Sequence, residues 1–546
     1  MPQKILVNKP ITTYCVGMSK IDFLFLFSIF IFSFYFFTSI HPLYIFDTDD
    51  WINMATWRTL YPSTVNYNPS KILPEVLFPL VSLFSIKILY PIIDDYVITL
   101  NIGIAFFYSV IITFYFATVY QFLKQKVSFF ETITEKQEVK DKTLAILLLL
   151  LFVFLHFSST VLRLSVNDNF LLQASNVNCI FHYSITALLN ITLVLFFMLD
   201  EQRNSEFWYS KNYYTKALML LFIYCCIFSN LLSNITLVSY ASVTVLFNVY
   251  KQHKYCSVNK TRSSFTSFAK NNFLNFTIIL FFVISAFLEA KGRRALDVGN
   301  TNHIDIASIY NSLNYFFSHT IYTFGKGIIK YSLFIVLLSN LVGLYFIKRS
   351  KNENTKNVSR TFYKTELKLL LIILMIMFLQ ICITVKTGVD YQNIMSSILC
   401  WYSIFLLLTG ISTIYLVSHF KKLKVIIPIS IVYLFAWQIL YTPPFREINA
   451  IPYVRLENVK NYTNDLVKKI VEADNQGIES IEVHVPKFNG ITSNFPMAVY
   501  SNNVFNYTLY KQGLIKKLVK ITIIPDIEIN KKYKIPVNTG EQYVAK

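Results

Sequence analysis

Charged residues are scarce in this chain. Of its 546 residues only 15% are charged, whereas 54% are hydrophobic and 17% are aromatic. Long windows hold almost no charge and are apolar on every helical face, as helices in lipid or in a bundle core must be. This shortage argues against a soluble enzyme and predicts an α-helical polytopic membrane protein.

Recognisable motifs for metals, nucleotides and redox chemistry are also missing. The seven cysteines, at positions 15, 179, 225, 226, 256, 382 and 400, have neither zinc-ligand nor redox spacing. The eight histidines form no HExxH-like pattern, and the chain has no P-loop, Rossmann fingerprint or nucleophile elbow in context. The net charge of +19 is therefore expected to reflect lysines in cytoplasmic loops, and not nucleic-acid binding.

Apolar runs predict about eleven transmembrane helices, and the first is read as an uncleaved helix because no small-residue cleavage site follows it. With a cytoplasmic N-terminus, Lys and Arg accumulate in alternate loops, as the positive-inside rule requires. We therefore expect a multi-pass protein of the cell membrane with an extracytoplasmic C-terminus. The expected spans are 22–40, 98–122, 143–160, 180–199, 217–230, 235–250, 273–288, 328–347, 368–385, 394–418 and 425–441.

The chain changes character after the last apolar run. Residues 1–441 are expected to form the membrane domain, and residues 442–546 a small soluble α/β domain outside the cell. In the second part an amphipathic helix is predicted to end at Gly477, and SIEVHVP and KITIIPDIEI are predicted to be strands.

The first outer loop, 41–97, holds the motif FDTDDW with Asp47, Asp49 and Asp50. Like charges near a low-dielectric boundary raise one another's pKa, so one of these groups is a candidate general base or metal ligand. The alternative is a solvated loop end that caps a short helix. Further along, PEVLFPLVSLFSIKILYP is expected to lie along the membrane interface, the alternative being a further transmembrane helix.

Aromatic and polar groups accompany this motif. Trp51, Trp57 and Glu75 are candidates for sugar binding, because aromatic faces stack on sugars while polar groups bond their hydroxyls. Asp94 and Asp95 form a second acidic pair, for which a polar helix cap is the equal alternative.

Cations in the outer loops depart from the positive-inside trend. Arginine suits phosphate because its planar guanidinium donates two parallel hydrogen bonds. Headgroup binding, or pairing with Glu289 and Asp297, explains these cations equally well. The candidate phosphate ligands are Arg58, Arg163, Lys291, Arg293 and Arg294.

The second outer loop is rich in amides. Asn167 and Asp168 are candidates for sugar hydroxyls, with a solvated loop as the alternative. His182, at the start of the fourth span, could relay a proton, although a single histidine at a helix end is more often an interface residue.

The arrangement of these segments resembles the C-type (GT-C) membrane glycosyltransferases. The parts that carry the resemblance are the acidic motif FDTDDW in a long first outer loop with the LPEVLFP segment, the later outer loop LEAKGRRALDVGN, and an outer C-terminal module containing NDLVKKIVEADNQGIESIEVHVP. Within this family the pattern is most similar to bacterial enzymes that decorate O-antigens and other surface glycans. The resemblance implies a hexosyltransferase with a polyprenyl-phosphate-sugar donor, in which a carboxylate of the first outer loop deprotonates the acceptor. Asp49 is preferred for its central place, and Asp47 and Asp50 remain candidates.

The resemblance also implies partners. These are membrane lipid, the polyprenyl-phosphate-linked sugar, a surface glycan acceptor, a donor-loading transferase and a flippase. Some members carry a paired acidic motif in the second outer loop, where this chain has only Asp168, so a divalent metal is not supported.

Two other functions stay open. One is a transporter or flippase for a lipid-linked glycan, which should carry ionisable residues at mid-membrane and broken helices. The other is an O-antigen-type polymerase, which would use the long outer loop from Glu289 to Lys326.

Overall fold

A computed structural model of the chain describes most of its residues. The described ranges are 19–131, 142–158, 171–172, 176–199, 212–259, 265–297, 306–307, 309–311, 313–314, 326–387, 394–441, 456–487 and 504–537.

The membrane part is a bundle of apolar helices. Its helices follow in this order: α1 (Lys20–Tyr35), α2 (Thr48–Ala55), α3 (Ile72–Phe84), α4 (Tyr96–Glu131), α5 (Lys142–Phe157), α6 (Val177–Leu199), α7 (Tyr213–Ile227), α8 (Leu231–Asn259), α9 (Phe265–Asn271), α10 (Phe273–Lys291), α11 (Arg293–Asp297), α12 (Lys326–Arg349), α13 (Glu353–Thr387), α14 (Ile394–His419) and α15 (Ile426–Tyr441). π-Helical turns extend α1 over Phe36–Ile40 and interrupt α6 over Ile180–Ile185.

Among the described residues, nine helical segments are long and apolar enough to cross a membrane. The chain is therefore a helical, multi-pass membrane protein. Three of the expected spans, 143–160, 217–230 and 425–441, appear as the shorter helices α5, α7 and α15, of 16, 15 and 16 residues.

Several helices begin at one end of the bundle. The backbone N–H of Leu43, just beyond α1, donates to Asn101 Oδ1 near the start of α4 (2.7 Å). Gln125, late in α4, donates to the carbonyl of Leu199, the last residue of α6. Asn230, just before α8, donates to the carbonyl of His182 near the start of α6 (2.7 Å). The end of α1 and the starts of α4, α6 and α8 thus share one end of the bundle, called the site end below.

α3 runs across this site end. A π-helical turn and a short α-helical turn continue α3 to Ile93. The resulting segment of 22 residues is long and apolar enough to cross a membrane. However, the N–H of Ile72 donates to the carbonyl of Phe228, between α7 and α8 (2.9 Å). At its other end the segment leads directly into the start of α4. Both of its ends therefore lie at the site end, which agrees with the expected interfacial segment, although the helix is longer than expected.

The C-terminal module is a small α/β unit. Its elements are α16 (Leu456–Asn475), β1 (Ser480–Pro486), α17 (Val504–Gln512), β2 (Lys520–Asp526) and α18 (Ile527–Tyr533). The two strands are parallel, with Val483 opposite Ile523. The predicted amphipathic helix and the strand SIEVHVP are confirmed, whereas the predicted strand KITIIPDIEI ends at Asp526 and its last three residues begin α18. Gly477 follows α16 with φ of +70°, as a helix-ending glycine does.

This module is docked on the site end. Gln512 in α17 accepts a hydrogen bond from Tyr96 (2.8 Å) and donates one to Ser82 Oγ (2.7 Å), so it joins α3 to α4. Asn464 in α16 accepts from the first turn of α4. Thr508 donates to the carbonyl of Trp51 in α2 (2.8 Å). The module thereby holds the short helix that carries most of FDTDDW.

Candidate functional site

The three aspartates of FDTDDW, called the aspartate cluster below, form the first turn of α2. Asp47 is the N-cap residue, and its side chain accepts from the N–H of Asp49. Asp50, at the third helical position, accepts from the N–H groups of Phe46 and Asp47 (both 3.2 Å). This reciprocal capping box satisfies N–H groups that a helix start leaves free. Asp47 and Asp50 therefore cap α2, as the alternative expected, but both are buried and not solvated.

The start of α6 completes the surroundings of these two aspartates. Asn176 donates to Asp47 Oδ2 (2.6 Å), and the N–H of Asn178 donates to Asp50 Oδ1 (2.7 Å). Asp50 is 0% exposed. Burial, together with the charge of Asp47, raises the pKa of Asp50 to about 8, and burial raises the pKa of Asp47 as well. These two groups are held in place on both of their oxygens.

Asp49 is different because it is exposed at the surface of α2. Among the described residues no hydrogen-bond donor reaches its carboxylate. It shares a helix face with Ile52 and Thr56, three and seven positions further along. Of the cluster, Asp49 is the carboxylate that is free to meet an incoming hydroxyl.

Arg58 lies just beyond α2 and is almost fully buried. Its guanidinium donates to the carbonyls of Asn68 and Pro69 (2.6 and 2.7 Å) and pairs with Glu75 in α3 (2.8 Å). These contacts fold the 58–71 segment over the start of α3. Arg58 is thus held as a fixed positive charge.

The LEAKGRRALD segment packs against the same fold. Glu289, in the last turn of α10, accepts from both the N–H (3.0 Å) and the hydroxyl (2.5 Å) of Ser70. Arg294 donates to Asn68 Oδ1 (2.9 Å). Gly292 faces Pro69 so closely that a Cβ atom there would lie 2.3 Å from the proline ring. The structure therefore brings two parts of the chain that are over 200 residues apart to one place.

Lys71 lies at the centre of these contacts and is 5% exposed. Its ammonium lies 5.6 Å from the centre of the Tyr183 ring, and among the described residues it has no hydrogen-bond or ion-pair acceptor. Burial, together with the charge of Arg294, lowers the pKa of Lys71 to about 7, although Glu289 and Glu75 act in the opposite direction. Arg58, Lys71 and Arg294 are called the cation cluster below.

His182 belongs to the same neighbourhood. It is buried in the π-helical turn of α6, and all three residues of the cation cluster act on it electrostatically. Its Nε2 atom has no hydrogen-bond partner among the described residues. A buried donor or acceptor without a partner is costly, so this ring is poised to bond a ligand or a water molecule.

The start of α6 joins the two clusters. Asn176 and Asn178 bond the aspartate cluster, whereas His182 and Tyr183, slightly further along α6, face the cation cluster. Asn178 and His182 are four residues apart in the sequence. Because a helix rises about 1.5 Å per residue, the parts of α6 that contact the two clusters lie close together. Carboxylates and cations thus share one site.

The structure places other predicted residues elsewhere. Trp51 is buried and stacks on Tyr96 (ring centres 5.7 Å apart), so it supports α2 and has no free face for a sugar. Trp57 is exposed. Asp95 accepts from the N–H of Ile98 and caps α4, while Asp94 adopts φ of +53° before it.

The remaining predictions concern the outer cations and amides. Lys291 and Arg293 are exposed, whereas Arg294 beside them turns into the site. Arg163, Asn167 and Asp168 lie outside the described residues. No group of three or more His, Cys, Asp and Glu side chains in the described ranges is arranged to hold a metal ion.

Sequence reasoning did not assign roles to Asn68, Ser70, Lys71 or Tyr183. Lys71 carries a usable signal, because a lysine directly before an apolar helix in an outer loop departs from the positive-inside trend. Ser70 carries no such signal, since its role depends on Glu289, which is remote in sequence. Comparison with known proteins found no match of this chain to any family model, curated protein or solved structure.

Proposed function

We propose that this protein is a glycosyltransferase that moves a hexose from a polyprenyl-phosphate carrier to a surface glycan or glycolipid. The observation that carries this proposal is Lys71, a buried ammonium without a hydrogen-bond or ion-pair acceptor among the described residues, on which the charges of Arg294, Glu289 and Glu75 act. An anion stabilises the charged form of such a group, and a lipid phosphate reaches this depth naturally.

The chemistry follows from the two clusters. The bond between the anomeric carbon and the phosphate oxygen breaks, and the electron pair stays on the lipid phosphate. The cation cluster stabilises the negative charge that develops there, as fixed cations in a dry site do. The acceptor oxygen bonds to the anomeric carbon, and its proton goes to Asp49.

Asp47 and Asp50 support the reaction indirectly in this scheme. They fix α2 against α6, which holds Asp49 at a set distance from the cation cluster. Their hydrogen bonds occupy the oxygens that a general base would need. The proposed base is therefore Asp49.

The remaining features of the proposal rest on loop charge. Lys and Arg are concentrated in alternate loops, which supports eleven spans, a cytoplasmic N-terminus and an outer site in the cell membrane. The docking of residues 456–537 on the site end is what an extracytoplasmic module would need in order to assist the reaction. A GT-C-type architecture with a membrane domain 1–441 and an outer domain 442–546 belongs to the same proposal.

One observation favours a second function, a transporter of lipid-linked glycans. Glu366 in α13 is buried in the bundle, where Ser412 of α14 donates to it (3.0 Å). Ionisable residues inside membrane bundles often mark transport pathways. Loss of substrate translocation in Glu366→Gln, with sugar transfer absent from the wild type, would favour this function.

The test of the proposed function is sugar transfer in proteoliposomes that contain a panel of polyprenyl-phosphate sugars and native surface glycan. Lys71→Gln and Arg294→Gln should lose at least about tenfold in donor kcat/KM, because each removes a charge from the developing phosphate. Arg293→Gln is the matched comparison, since this exposed neighbour should cost far less. Equal losses in Arg293→Gln and Arg294→Gln, or no transfer by the wild type, would refute the proposal.

A further inference from the structure

We infer that a cleft between α2 and the C-terminal module binds a sugar residue of the acceptor glycan, an inference that rests on the proposed function. The cleft has a volume of about 530 Å³. That is enough for one or two sugar rings and falls within the usual range for small-ligand sites. Its lining residues are Ile52, Thr56, Val504, Asn506, Tyr507, Leu518, Val519 and Lys520.

Both walls of the cleft are fixed. One wall is α2, which the module holds through the hydrogen bond from Thr508 to the carbonyl of Trp51 (2.8 Å). The other wall is α17 with the start of β2, joined by the hydrogen bond from Asn506 Nδ2 to the carbonyl of Val519 (2.6 Å). A site whose walls are fixed before binding loses little conformational entropy when a ligand enters.

The chemistry of the lining points to a hydroxyl-bearing ligand. Asn506 is 4% exposed, and its Oδ1 atom accepts no hydrogen bond among the described residues. This buried acceptor needs a donor, which a sugar hydroxyl supplies. Tyr507 is 43% exposed, with the Lys511 ammonium 5.2 Å from the centre of its ring, and its exposed surface can pack against the C–H face of a sugar ring. Lys520 adds a donor that reaches further hydroxyls or an acidic sugar.

The position of the cleft connects it to the proposed base. Ile52 and Thr56 lie three and seven positions after Asp49, on the same face of α2. Residues three or four apart on a helix have Cβ atoms about 5–6 Å apart, so Asp49 stands roughly one turn from the cleft. A glycan seated there brings a hydroxyl beside the Asp49 carboxylate.

The experiment measures glycan binding and transfer separately on the full-length protein in lipid nanodiscs. The probes are neutral hexose trisaccharides and trisaccharides containing a uronic acid, titrated by calorimetry without donor. Tyr507→Ala and Ile52→Trp, which remove a wall and fill the space, should weaken binding of the best trisaccharide at least about fivefold. Tyr510→Ala is the matched control, because Tyr510 lies on the same helix, is 41% exposed and does not line the cleft.

In transfer assays Tyr507→Ala should raise the KM for acceptor and leave the KM for donor unchanged. Loss of trisaccharide binding in Tyr507→Ala, with binding kept in Tyr510→Ala, supports the cleft. If the cleft is supported in this way but no donor is ever consumed, the proposed function alone fails. Normal acceptor KM in both Tyr507→Ala and Ile52→Trp, with active transfer, overturns the cleft and leaves the proposed function standing. Absence of binding by every trisaccharide to the wild type also overturns it.

Discussion

The Lys71 ammonium lies 5.6 Å from the centre of the Tyr183 ring, so a cation of the first long loop faces the start of α6. An aromatic face attracts a cation but does not neutralise it. Lys71 is thereby stabilised without losing its capacity to bind an anion. Under the proposed function this relationship connects donor recognition to the same end of α6 that binds the aspartate cluster.

Donor affinity should depend on pH through Lys71. Its pKa of about 7 means that the ammonium is charged below pH 7 and neutral above it. Because an anionic donor favours the charged form, we expect the affinity for a polyprenyl phosphate to fall by up to about tenfold per pH unit above pH 7. Binding titrations between pH 6 and 9 measure this fall. Lys71→Arg, which stays charged, should flatten the profile, and an equally steep profile in that variant would contradict the assignment.

The three aspartates should differ in what their loss affects. Asp49→Asn should abolish transfer and leave thermal stability unchanged, since its carboxylate is exposed and has no partner among the described residues. Asp47→Ala should cost about 1–2 kcal/mol, because the N-cap and its bond to Asn176 are lost. Transfer rates and melting temperatures of the two variants, at matched expression, separate these roles. Normal transfer by Asp49→Asn would exclude it as the base.

Asp50 should make stability depend on pH. Its pKa is raised from 3.8 to about 8, so the folded protein holds a proton that the unfolded chain has released. This contribution to stability is fully present below pH 3.8 and is lost as pH rises to about 8. Melting temperatures of the wild type should therefore fall over that window more steeply than those of Asp50→Asn. Parallel curves for the two proteins would show that this carboxyl does not titrate as expected.

The Arg58–Glu75 pair should be strongly coupled. Arg58→Met leaves a buried carboxylate without its cation, which should cost about 3–5 kcal/mol. Arg58→Met with Glu75→Leu should recover most of that stability, because neither member of the pair is then left without its partner. Donor binding should stay weak in the double variant if the guanidinium also contacts phosphate. Full recovery of donor binding would limit Arg58 to a structural role.

Gln512 should hold the C-terminal module on the membrane part. Gln512→Ala removes the bonds to Tyr96 and Ser82, which are buried, so the module should detach more often. Limited proteolysis should cleave the region after Tyr441 faster in this variant, with acceptor KM raised. Gln476→Ala, at an exposed turn of the same module, is the control and should behave as the wild type.

Local patterns predicted much of the fold. The apolar runs give helices at nearly all the expected places, and the strands Ser480–Pro486 and Lys520–Asp526 fall within the predicted segments. Period and composition are properties of neighbouring residues, so the sequence displays them directly. The predicted stretch PEVLFPLVSLFSIKILYP, residues 74–91, forms most of the helical segment Ile72–Ile93, which extends two residues further at each end.

The site was predictable only in part. FDTDDW and LEAKGRRALD were recognisable as unusual, and the structure brings Arg294 of the second close to Asn68, beyond the end of the first. Asn176 and Asn178 bond the carboxylates of Asp47 and Asp50 but are remote from them in sequence. The sequence therefore does not show that Asp49 is the aspartate without a hydrogen-bond donor among the described residues. Trp51 was misassigned to sugar binding because its packing against Tyr96 depends on tertiary structure.

The bond between Glu289 and Ser70 connects the site to the lipid. Glu289 lies in the last turn of α10, a helix of 19 residues that is mostly exposed on the surface of the bundle. At about 1.5 Å per residue α10 is roughly 28 Å long, close to the bilayer core of about 30 Å. A thicker or thinner bilayer changes the tilt of such a helix, and the tilt shifts Ser70 and the neighbouring Lys71. Under the proposed function we therefore expect donor affinity to vary with bilayer thickness.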